Sequence, residues 1–390
     1  MPELMDAPVC LVLRYFTVGG LERVVSLLAN ELVARGVSVR VVVLGTSRRN
    51  ALITELDDAV ETHVLDGPWV LRLRHLQSLS KGHVVHLHFG DGKIYPSVRW
   101  ALRNHPKLVI TYHSVYRHIR SRSANRIDRF ASRRCSNVVA VSTAVARYCT
   151  DEVGLSPGLI TVVNNAIPDS PVPVFEHTRG PGLWLIDLAG IQPHKNHVTI
   201  VRGLAILRGR GHDVRLRIIG DGPEVADLFR IASDLGVAAQ VDWYGAVWRR
   251  EIVASLLRTS DIFVSASRFE GTPLTALEAM QASLPLVLSD IPAHRETSDG
   301  AASFFPADDA EQFAARVEEL LDADVRARRG RDALERLSHF SVERFATGYL
   351  QVYHSPARTN GRRLDSQQHA ERRPIQRSSA RVASGQAPRT

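Results

Sequence analysis

Residues 267–280 read SRFEGTPLTALEAM and join the end of an apolar run to the start of a helical pattern. Thr272 is predicted to cap that helix and Pro273 to occupy its first position, since both residue types favour these places. The backbone amides of Gly271 to Leu274 would then point outward at the positive end of the helix dipole. A helix start of this kind favours an anion, so the segment predicts an anion-binding turn behind a strand.

Two carboxylates of the same stretch, Glu270 and Glu278, stand eight positions apart. At about 3.6 residues per turn, Glu278 shares a stripe with Leu277 and Gln281 and is expected to face inward, where an unpaired charge is costly. Some polar group must therefore meet it. Each residue also has a simpler explanation when it is taken alone. Glu270 would be a loop glutamate in solvent, and Glu278 would be a helix glutamate paired with an arginine. Beside an anion-binding turn, the two carboxylates suit a ligand with phosphates and sugar hydroxyls, such as a nucleotide-sugar.

Together with its flanking residues, the segment from SRFEG to SDIPAHRE resembles the E-x7-E donor-site signature of retaining glycosyltransferases of family 4. The resemblance extends over roughly residues 8–350. It implies an α/β fold of the GT-B architecture, in which two Rossmann-like, doubly wound domains face each other across a cleft. It also implies a nucleotide-sugar donor that is bound without a metal ion or other cofactor.

The composition is that of a globular protein large enough for two domains, with 390 residues, of which 44% are hydrophobic and 23% charged. No apolar run is long enough to cross a bilayer, and the start MPELMDAPVC lacks the basic and apolar regions of a signal peptide, so a cytoplasmic protein is expected. Cys10, Cys135 and Cys149 include no C-x-x-C pair, which argues against a disulfide framework or a structural zinc site. They are expected to be reduced and mostly packed.

Most of the net charge of +8 comes from the last residues, 356–390. Eight arginines there oppose Asp365 and Glu371, which leaves +6 for this tail and +2 for the remainder. The tail has almost no apolar residues and is expected to be disordered. Because the excess charge lies in the tail and no pattern of base-stacking aromatic residues accompanies it, nucleic acid is not an expected partner.

Short β-rich apolar runs alternate with helical patterns in both halves of the chain, which predicts parallel sheets wrapped by helices. The runs are VCLVLRYF, VRVVVLG, VVHLHF, KLVITYH, NVVAVS and ITVVNNAI, then LWLIDLAG, VRLRIIGDG, QVDWYGAV, DIFVSAS and PLVLSDI. A linker is predicted at 171–182, which is rich in proline and glycine. By resemblance, it separates an acceptor-binding domain at 1–170 from a donor-binding domain at 183–340, and a final helix at 341–355 packs back on the first domain.

Glycines follow several of the predicted strands, at the strand ends where sheets of this kind bind ligands. Gly19 and Gly20 open the run GGLERVV, and Gly220 and Gly222 lie in IIGDGPE. Each pair is explained by a tight turn, but glycine also lets the backbone approach a phosphate or a sugar. Both runs resemble donor-site loops of the family and occur in the family's order along the chain.

The run LAGIQPHKNH carries the lysine that is predicted to act on the donor. A lysine at a helix start is usually only solvated, because that end of the dipole disfavours cations. Here Lys195, followed by Asn196, is expected to reach the diphosphate as a point charge. Gly190 stands where the family usually has an arginine. The donor phosphates are therefore one cation short unless Arg268, beside Glu270, or another arginine substitutes.

His113 ends the predicted strand in VITYHS, where the family often has a cleft histidine that contacts the transferred sugar or the acceptor. His86 and His88 alternate on VVHLHF and with His113 could suggest a metal, but no acidic partner at ligand spacing accompanies them. Asp322 and Asp324 form a D-x-D pair, which some glycosyltransferases use for a divalent cation. They lie in a charged helix, so a solvated surface is predicted and no metal site is expected.

An arginine-rich run, YRHIRSRSANRIDRFASRRC, has a basic stripe at helical spacing with apolar residues beside it. The stripe consists of Arg122, Arg126, Arg129 and Arg133. It suits an anionic membrane surface, whereas a solvated arginine-rich helix explains the same pattern. The membrane interpretation predicts a protein that binds the inner face of the cell membrane.

By resemblance, His113, Lys195 and Glu270 are the predicted catalytic residues. The predicted donor-binding residues are Gly19, Gly20, Gly190, Asn196, Gly220, Gly222, Arg268, Gly271, Thr272, Pro273, Leu274 and Glu278. The implied reaction moves a hexose-type sugar from a UDP or GDP donor to a hydroxyl of a saccharide or lipid-linked acceptor with retained anomeric configuration. Cell-surface polysaccharide or glycolipid biosynthesis is the expected setting.

Two alternatives to this enzyme are open. A nucleotide-sugar epimerase of similar fold would need no acceptor, and the intact E-x7-E run argues against it. A catalytically degenerate scaffold that only binds sugar nucleotides is suggested by Gly190 and by residues 164–168, NNAIP, where the family usually has N-G-I-D.

Overall fold

A computed structural model describes residues 7–17, 19–45, 51–88, 95–116, 121–168 and 180–355. Within these ranges the chain forms two β-sheets, each accompanied by helices. The tail at 356–390 and most of the predicted linker lie outside the described residues. Over the described ranges, no helix combines the length and the apolar character needed to span a bilayer.

In the described part of the chain the first sheet has seven strands, and all its neighbouring strands are parallel. They are β1 (Val9–Leu13), β2 (Val39–Val43), β3 (Glu61–Val64), β4 (Val84–His88), β5 (Leu108–Tyr112), β6 (Asn137–Ala140) and β7 (Ile160–Val162). Their order is β3-β2-β1-β4-β5-β6-β7. The central strands are buried along their whole length, as expected of a parallel sheet covered on both faces. The prediction missed β3, because this edge strand, ETHV, is partly exposed and has no continuous apolar run.

Over residues 180–355 the second sheet has six parallel strands in the order β10-β9-β8-β11-β12-β13. They are β8 (Leu183–Leu188), β9 (Val214–Ile219), β10 (Val241–Trp243), β11 (Ile262–Ser265), β12 (Leu286–Ser289) and β13 (Ala302–Phe305). The edge strand β13 is absent from the predicted runs. In both sheets the strand order reverses beside the first strand, so the loops after β1, β4, β8 and β11 open at the crevices where such sheets bind ligands.

Helices cover both sheets and supply the other half of each core. They are α1 (Gly20–Ala34), α2 (Trp69–Leu79), α3 (Tyr95–Ala101), α4 (Arg122–Ser132), α5 (Thr143–Tyr148), α6 (His197–Gly209), α7 (Val225–Asp234), α8 (Arg250–Arg258), α9 (Leu274–Gln281), α10 (Pro292–Ser298), α11 (Ala310–Glu318), α12 (Ala323–Leu337) and α13 (Val342–His354). The predicted fold class, two doubly wound α/β domains, is confirmed.

The last helix, α13, packs on the first sheet although it follows the second domain in the chain. Phe345, Tyr349 and Tyr353 belong to the hydrophobic core under β1 and α1. The Tyr353 hydroxyl lies 2.6 Å from Nδ1 of His86 on β4. The chain therefore crosses back to the first domain and ties the two domains together.

Direct contacts also join the two domains at the cleft. Glu296 on α10 accepts hydrogen bonds from the backbone amides of Thr143 (2.7 Å) and Ala144 (3.1 Å), so a carboxylate of the second domain caps α5 of the first. On the other side of the cleft, Gln281 on α9 donates from its Nε2 to the carbonyl oxygen of Pro168 at 2.8 Å. These bonds hold the strand ends of the two sheets toward each other.

Two sequence features outside the cleft have structural roles. The carboxylate of Asp322 accepts hydrogen bonds from the backbone amides of Asp324 (2.8 Å) and Val325 (3.0 Å), so the D-x-D pair caps α12. The three cysteines, Cys10, Cys135 and Cys149, are free and buried.

Candidate functional site

A cavity of about 590 Å³ lies between the domains, at the carboxyl ends of their strands. This volume is in the range of about 300–1,000 Å³ that is usual for ligand pockets. The loops after β1, β8 and β9 line it with glycines, and α9 lines it with its first turns. The predicted donor-binding residues in its wall are Gly19, Gly20, Gly190, Gly220, Gly222, Leu274 and Glu278.

Gly220 and Gly222 are required by the packing of the cavity wall. Gly220 has a φ of +152°, and a Cβ there would overlap the carbonyl oxygen of Ala189. A Cβ at Gly222 would overlap the carbonyl oxygen of Ile191. Glycine at both positions therefore lets the turn after β9 lie directly on the loop after β8.

The helix start of the E-x7-E segment differs from the predicted one. α9 begins at Leu274 with Pro273 at its N-cap position. The Thr272 hydroxyl donates to the carbonyl oxygen of Val141 in the first domain. The predictions of Thr272 as the cap and Pro273 as the first helical residue are wrong, because a hydrogen bond across the cleft replaces the local cap. The first amide of α9 with a partner inside the helix is that of Ala276, which donates to the carbonyl oxygen of Pro273. The amides of Leu274 and Thr275 before it have no acceptor within the helix.

Gly271 brings the two domains into backbone contact beside Glu270. A Cβ at Gly271 would overlap the carbonyl oxygen of His113. Next to it, Asn165 Nδ2 donates to the carbonyl oxygen of Thr272 at 3.4 Å. The turn before α9 is thus held against the loop that carries His113, which brings two of the predicted catalytic residues to the same place.

Glu270 and Lys195, both predicted to be catalytic, form a partly buried ion pair with 2.5 Å between Nζ and Oε1. The Ser267 hydroxyl donates to the same carboxylate at 2.7 Å. Burial raises the pKa of Glu270, but the positive charge and hydrogen bond of Lys195 outweigh it, and the pKa lies below its ordinary value. Glu270 is therefore an ionised carboxylate at neutral pH, and Lys195 is oriented by it.

Glu278 meets a cation from the other domain. Its Oε1 lies 3.1 Å from Nη1 of Arg23 on α1, and both side chains are partly buried. Burial raises the pKa of Glu278, although the charges of Arg23 and Arg250 act in the opposite direction. The sequence reasoning missed Arg23. The sequence feature that could have identified Arg23 is its position on α1. It lies about one turn after the glycine pair, on the same face of the helix as Gly20, and this face lines the cavity.

Asn196 and Arg268 lie outside the glycine-lined cavity and stabilise the loop that carries Lys195. Asn196 has a φ of 56°, and its Nδ2 donates to the carbonyl oxygen of Ala307 at 2.6 Å. Arg268 forms an ion pair with Asp308 (2.7 Å) and donates to Oδ1 of Asn196 (3.0 Å). Arg268 therefore does not supply the missing cation in this arrangement, because the carboxylate of Asp308 holds its guanidinium.

His113 belongs to a row of three neighbouring histidine rings that are tilted against one another. Its Nε2 lies 3.0 Å from Nδ1 of His88, and the rings of His86 and His88 have centroids 3.8 Å apart. Burial lowers the pKa of His113 to about 3 and that of His86 and His88 well below the ordinary value. The three rings are neutral at physiological pH. Among the described residues no group of three or more His, Cys, Asp or Glu side chains is arranged to hold a metal ion.

These histidines predict acid destabilisation of the fold. In the unfolded chain they bind protons near the ordinary pKa of 6.5, whereas in the fold they stay neutral. Below that pH the unfolded state binds more protons, so the free energy of unfolding falls as pH decreases, by about 1.4 kcal/mol per pH unit for each neutral histidine. Urea unfolding at about pH 7.5 and about pH 5.5 measures this change. His88→Asn should reduce the slope, and equal stability at both pH values would contradict the prediction.

Two family models match the two halves of the chain. The model described as "Glycosyltransferase Family 4" matches residues 18–170, and the one described as "Glycosyl transferases group 1" matches residues 184–336. The first match covers strands β2 to β7, and the second covers the second sheet from β8 to β13.

Known proteins agree with this assignment. The chain is 30% identical over 180 residues to a GDP-mannose-dependent α-(1-6)-phosphatidylinositol monomannoside mannosyltransferase of Mycolicibacterium smegmatis, covering 41% of this chain and 47% of that protein. It is 30% identical over 242 residues to a glycogen synthase of Mycobacterium tuberculosis, covering 60% and 57%. It thus spans about half the length of these curated relatives.

A solved structure matches nearly the whole fold. The structure of Anabaena HepE in complex with UDP has a TM-score of 0.73 at 16% identity and covers 89% of this chain and 99% of that one. At this identity the likeness concerns the fold, and it agrees with the GT-B architecture that the sequence predicts. The chain is therefore a member of the group 1 glycosyltransferases of family 4.

Proposed function

We propose that this protein transfers a hexose-type sugar from a UDP or GDP donor to a hydroxyl of a saccharide or lipid-linked acceptor, with retained anomeric configuration. The observation that carries the proposal is the glycine-lined cavity with Glu278 in its wall and the Lys195–Glu270 pair beside it. A GDP-mannose-dependent relative and a solved structure with UDP support the two donor classes. Cell-surface polysaccharide or glycolipid biosynthesis is the proposed setting.

The proposed mechanism relies on electrostatics and on positioning. The bond to the diphosphate loosens first, and Lys195 and the amides at the start of α9 stabilise the leaving group without a metal ion. Glu270 holds sugar hydroxyls and stabilises the positive charge on the sugar, while Glu278 binds the ribose. The leaving phosphate accepts the acceptor's proton on the same face, so no protein nucleophile is assigned.

The two domains divide this work in the proposal. The donor-binding domain at 183–340 supplies Lys195, Glu270 and Glu278. The acceptor-binding domain at 1–170 supplies His113, which meets the transferred sugar or the acceptor as a neutral hydrogen-bonding imidazole. The backbone contact of Gly271 with the His113 loop supports this arrangement, because it brings groups of both domains to the same point.

Ligand-observed NMR with a panel of UDP-, GDP- and ADP-sugars tests the proposal. We expect one nucleotide-sugar to bind selectively and to bind less well to Lys195→Ala and Glu278→Ala. Turnover of that donor only when an acceptor is present would separate a transferase from an epimerase. Binding without any turnover would favour the degenerate scaffold, and no binding of any donor would overturn the proposed function.

We also propose that α4 contacts an anionic membrane at the inner face of the cell membrane. Ile127 and Phe130 are 52% and 63% exposed beside the arginines of this helix. On the neighbouring α3, Trp100 is 65% exposed, and the Arg103 guanidinium lies 4.5 Å from its ring centroid. Exposed apolar rings among arginines are typical of interfacial membrane helices.

Vesicle sedimentation tests the membrane contact. Changing all four stripe arginines to glutamine is expected to lower partitioning onto phosphatidylglycerol vesicles by more than about tenfold, since each basic residue near an anionic surface contributes about 1 kcal/mol. The stripe arginines are Arg122, Arg126, Arg129 and Arg133. Arg328→Gln with Arg331→Gln, on α12, is the control and should bind like the unchanged protein. Equal partitioning of the stripe variant would contradict the proposal.

A further inference from the structure

The wall of the glycine-lined cavity is poor in positive charge. Of the described residues that line it, Arg23 is cationic, whereas Asp221 and Glu278 are acidic. Lys195 is not in this wall, because it is paired with Glu270 in the adjoining part of the site. A nucleotide diphosphate is negatively charged, so its binding in this cavity requires a cationic side chain that can contact the phosphates.

Arg23 is in a position to provide that cation. It lies one turn after Gly20 on α1, and a Cβ at Gly20 would lie 3.6 Å from Cδ1 of Leu274, so the starts of α1 and α9 are in contact. The guanidinium contacts Glu278, which lies four residues, or about one turn, after the first residue of α9. It is also partly exposed, at 21%, to the cavity.

The contacts of Arg23 leave most of its hydrogen-bonding capacity unused. Within the described residues its side chain makes one hydrogen bond, through Nη1 to Glu278 at 3.1 Å. A guanidinium has five N–H donors in a planar fork that matches phosphate oxygens. The ion pair with Glu278 keeps both charges compensated before a ligand arrives, and this offsets the cost of their partial burial.

We propose that Arg23 is a donor-phosphate ligand that exchanges Glu278 for the diphosphate when the donor binds. The inference rests on the proposed function and deepens it. A donor brings both groups that the exchange needs: phosphate oxygens accept from the guanidinium, and ribose hydroxyls donate to the released carboxylate of Glu278. Both charges of the Arg23–Glu278 pair therefore keep a partner in both states.

Gly190 offers an independent way to supply a cation to the same cavity. It lines this cavity. The heavy atom nearest to a Cβ at Gly190 is the carbonyl oxygen of Asp221, 3.6 Å away, which is an ordinary contact. An arginine introduced at Gly190 can therefore extend into the cavity without a clash at its Cβ, and it can take over a lost charge of Arg23.

The test compares diphosphates with nucleosides. Titrations of UDP, GDP and ADP, and of uridine, guanosine and adenosine, are made with the unchanged protein, Arg23→Gln and the double variant Arg23→Gln with Gly190→Arg. Arg35→Gln is the matched control, because Arg35 directly follows the same helix but pairs with Glu343. Arg23→Gln is expected to lower the affinity for the diphosphates about 10- to 100-fold, which is the effect of losing a hydrogen bond to a charged group. The affinity for the nucleosides should stay nearly unchanged.

The outcomes separate this inference from the proposed function. Restored diphosphate affinity in the double variant supports it, and nucleoside binding checks that Arg23→Gln is folded. An unchanged diphosphate affinity in Arg23→Gln, an equal loss for nucleoside and diphosphate, or a double variant as weak as Arg23→Gln would overturn the role of Arg23 and leave the proposed function standing. An unchanged protein that binds none of the three diphosphates would overturn both.

Discussion

Lys195→Ala is expected to lower kcat/KM for sugar transfer by about 10²- to 10³-fold, the range found when one pre-placed electrostatic group is removed from a transition state. Lys195 is oriented before the donor arrives, by the 2.5 Å contact of its Nζ with Glu270. Its charge therefore needs no reorganisation when the diphosphate leaves. The loss should appear in kcat as well as in kcat/KM, because the negative charge on the leaving group grows in the transition state.

Initial rates with the identified donor and acceptor measure this effect. Lys81→Ala is the matched control, since Lys81 is exposed on the first domain and outside the cleft. A Lys195→Ala protein with an unchanged kcat and a raised KM would assign to Lys195 a role in ground-state binding only. A fully active variant would remove it from the mechanism.

Asp128→Ala is expected to destabilise the fold by about 3–5 kcal/mol, the cost of leaving one partner of a buried ion pair without compensation. Asp128 on α4 and Arg99 on α3 have side chains that are each 3% exposed, with 3.1 Å between Oδ1 and Nη1. The Tyr112 hydroxyl donates to Oδ2 of Asp128 at 2.7 Å. One carboxylate thus joins α3, α4 and β5. Its removal leaves the buried guanidinium of Arg99 without its counter-charge.

Urea unfolding of the purified proteins measures this loss. Arg126→Ala, an exposed change on the same helix, should stay within about 0.5 kcal/mol of the unchanged protein. A loss below about 1 kcal/mol in Asp128→Ala would mean that the pair is dispensable for stability. The result also bears on the membrane proposal, because this pair anchors the helix that carries the basic stripe.

Local sequence patterns predicted most of the architecture. The apolar runs match eleven of the thirteen strands that the described residues form, because a parallel strand that is buried on both faces needs a continuous β-rich segment. The two missed strands, Glu61–Val64 and Ala302–Phe305, lie at sheet edges, where one side has no neighbour and the composition is less constrained. The glycines predicted to bind the donor lie together in the cavity wall, because the carboxyl ends of parallel strands meet at the same edge of a sheet.

The partners of charged side chains could not be predicted in the same way. Threonine is a residue type that favours helix N-caps, yet the Thr272 hydroxyl donates to the carbonyl oxygen of Val141 across the cleft. Arg268 stands two positions before Glu270 in sequence, yet its guanidinium is held by Asp308, forty positions away. Long polar side chains have several partners within reach, and the nearest acceptor in space decides among them.

The sequence by itself determined the two doubly wound domains, the strand-end glycines and the two glutamates of the E-x7-E segment, because each depends on burial periodicity or on spacing along one helix. Only the tertiary structure decided which cation meets which glutamate. Arg23 and Glu278 are 255 positions apart and belong to different domains. Their contact exists because two separately encoded sheets place the first turns of α1 and α9 side by side, and ion pairing depends on distance in space and not on distance along the chain.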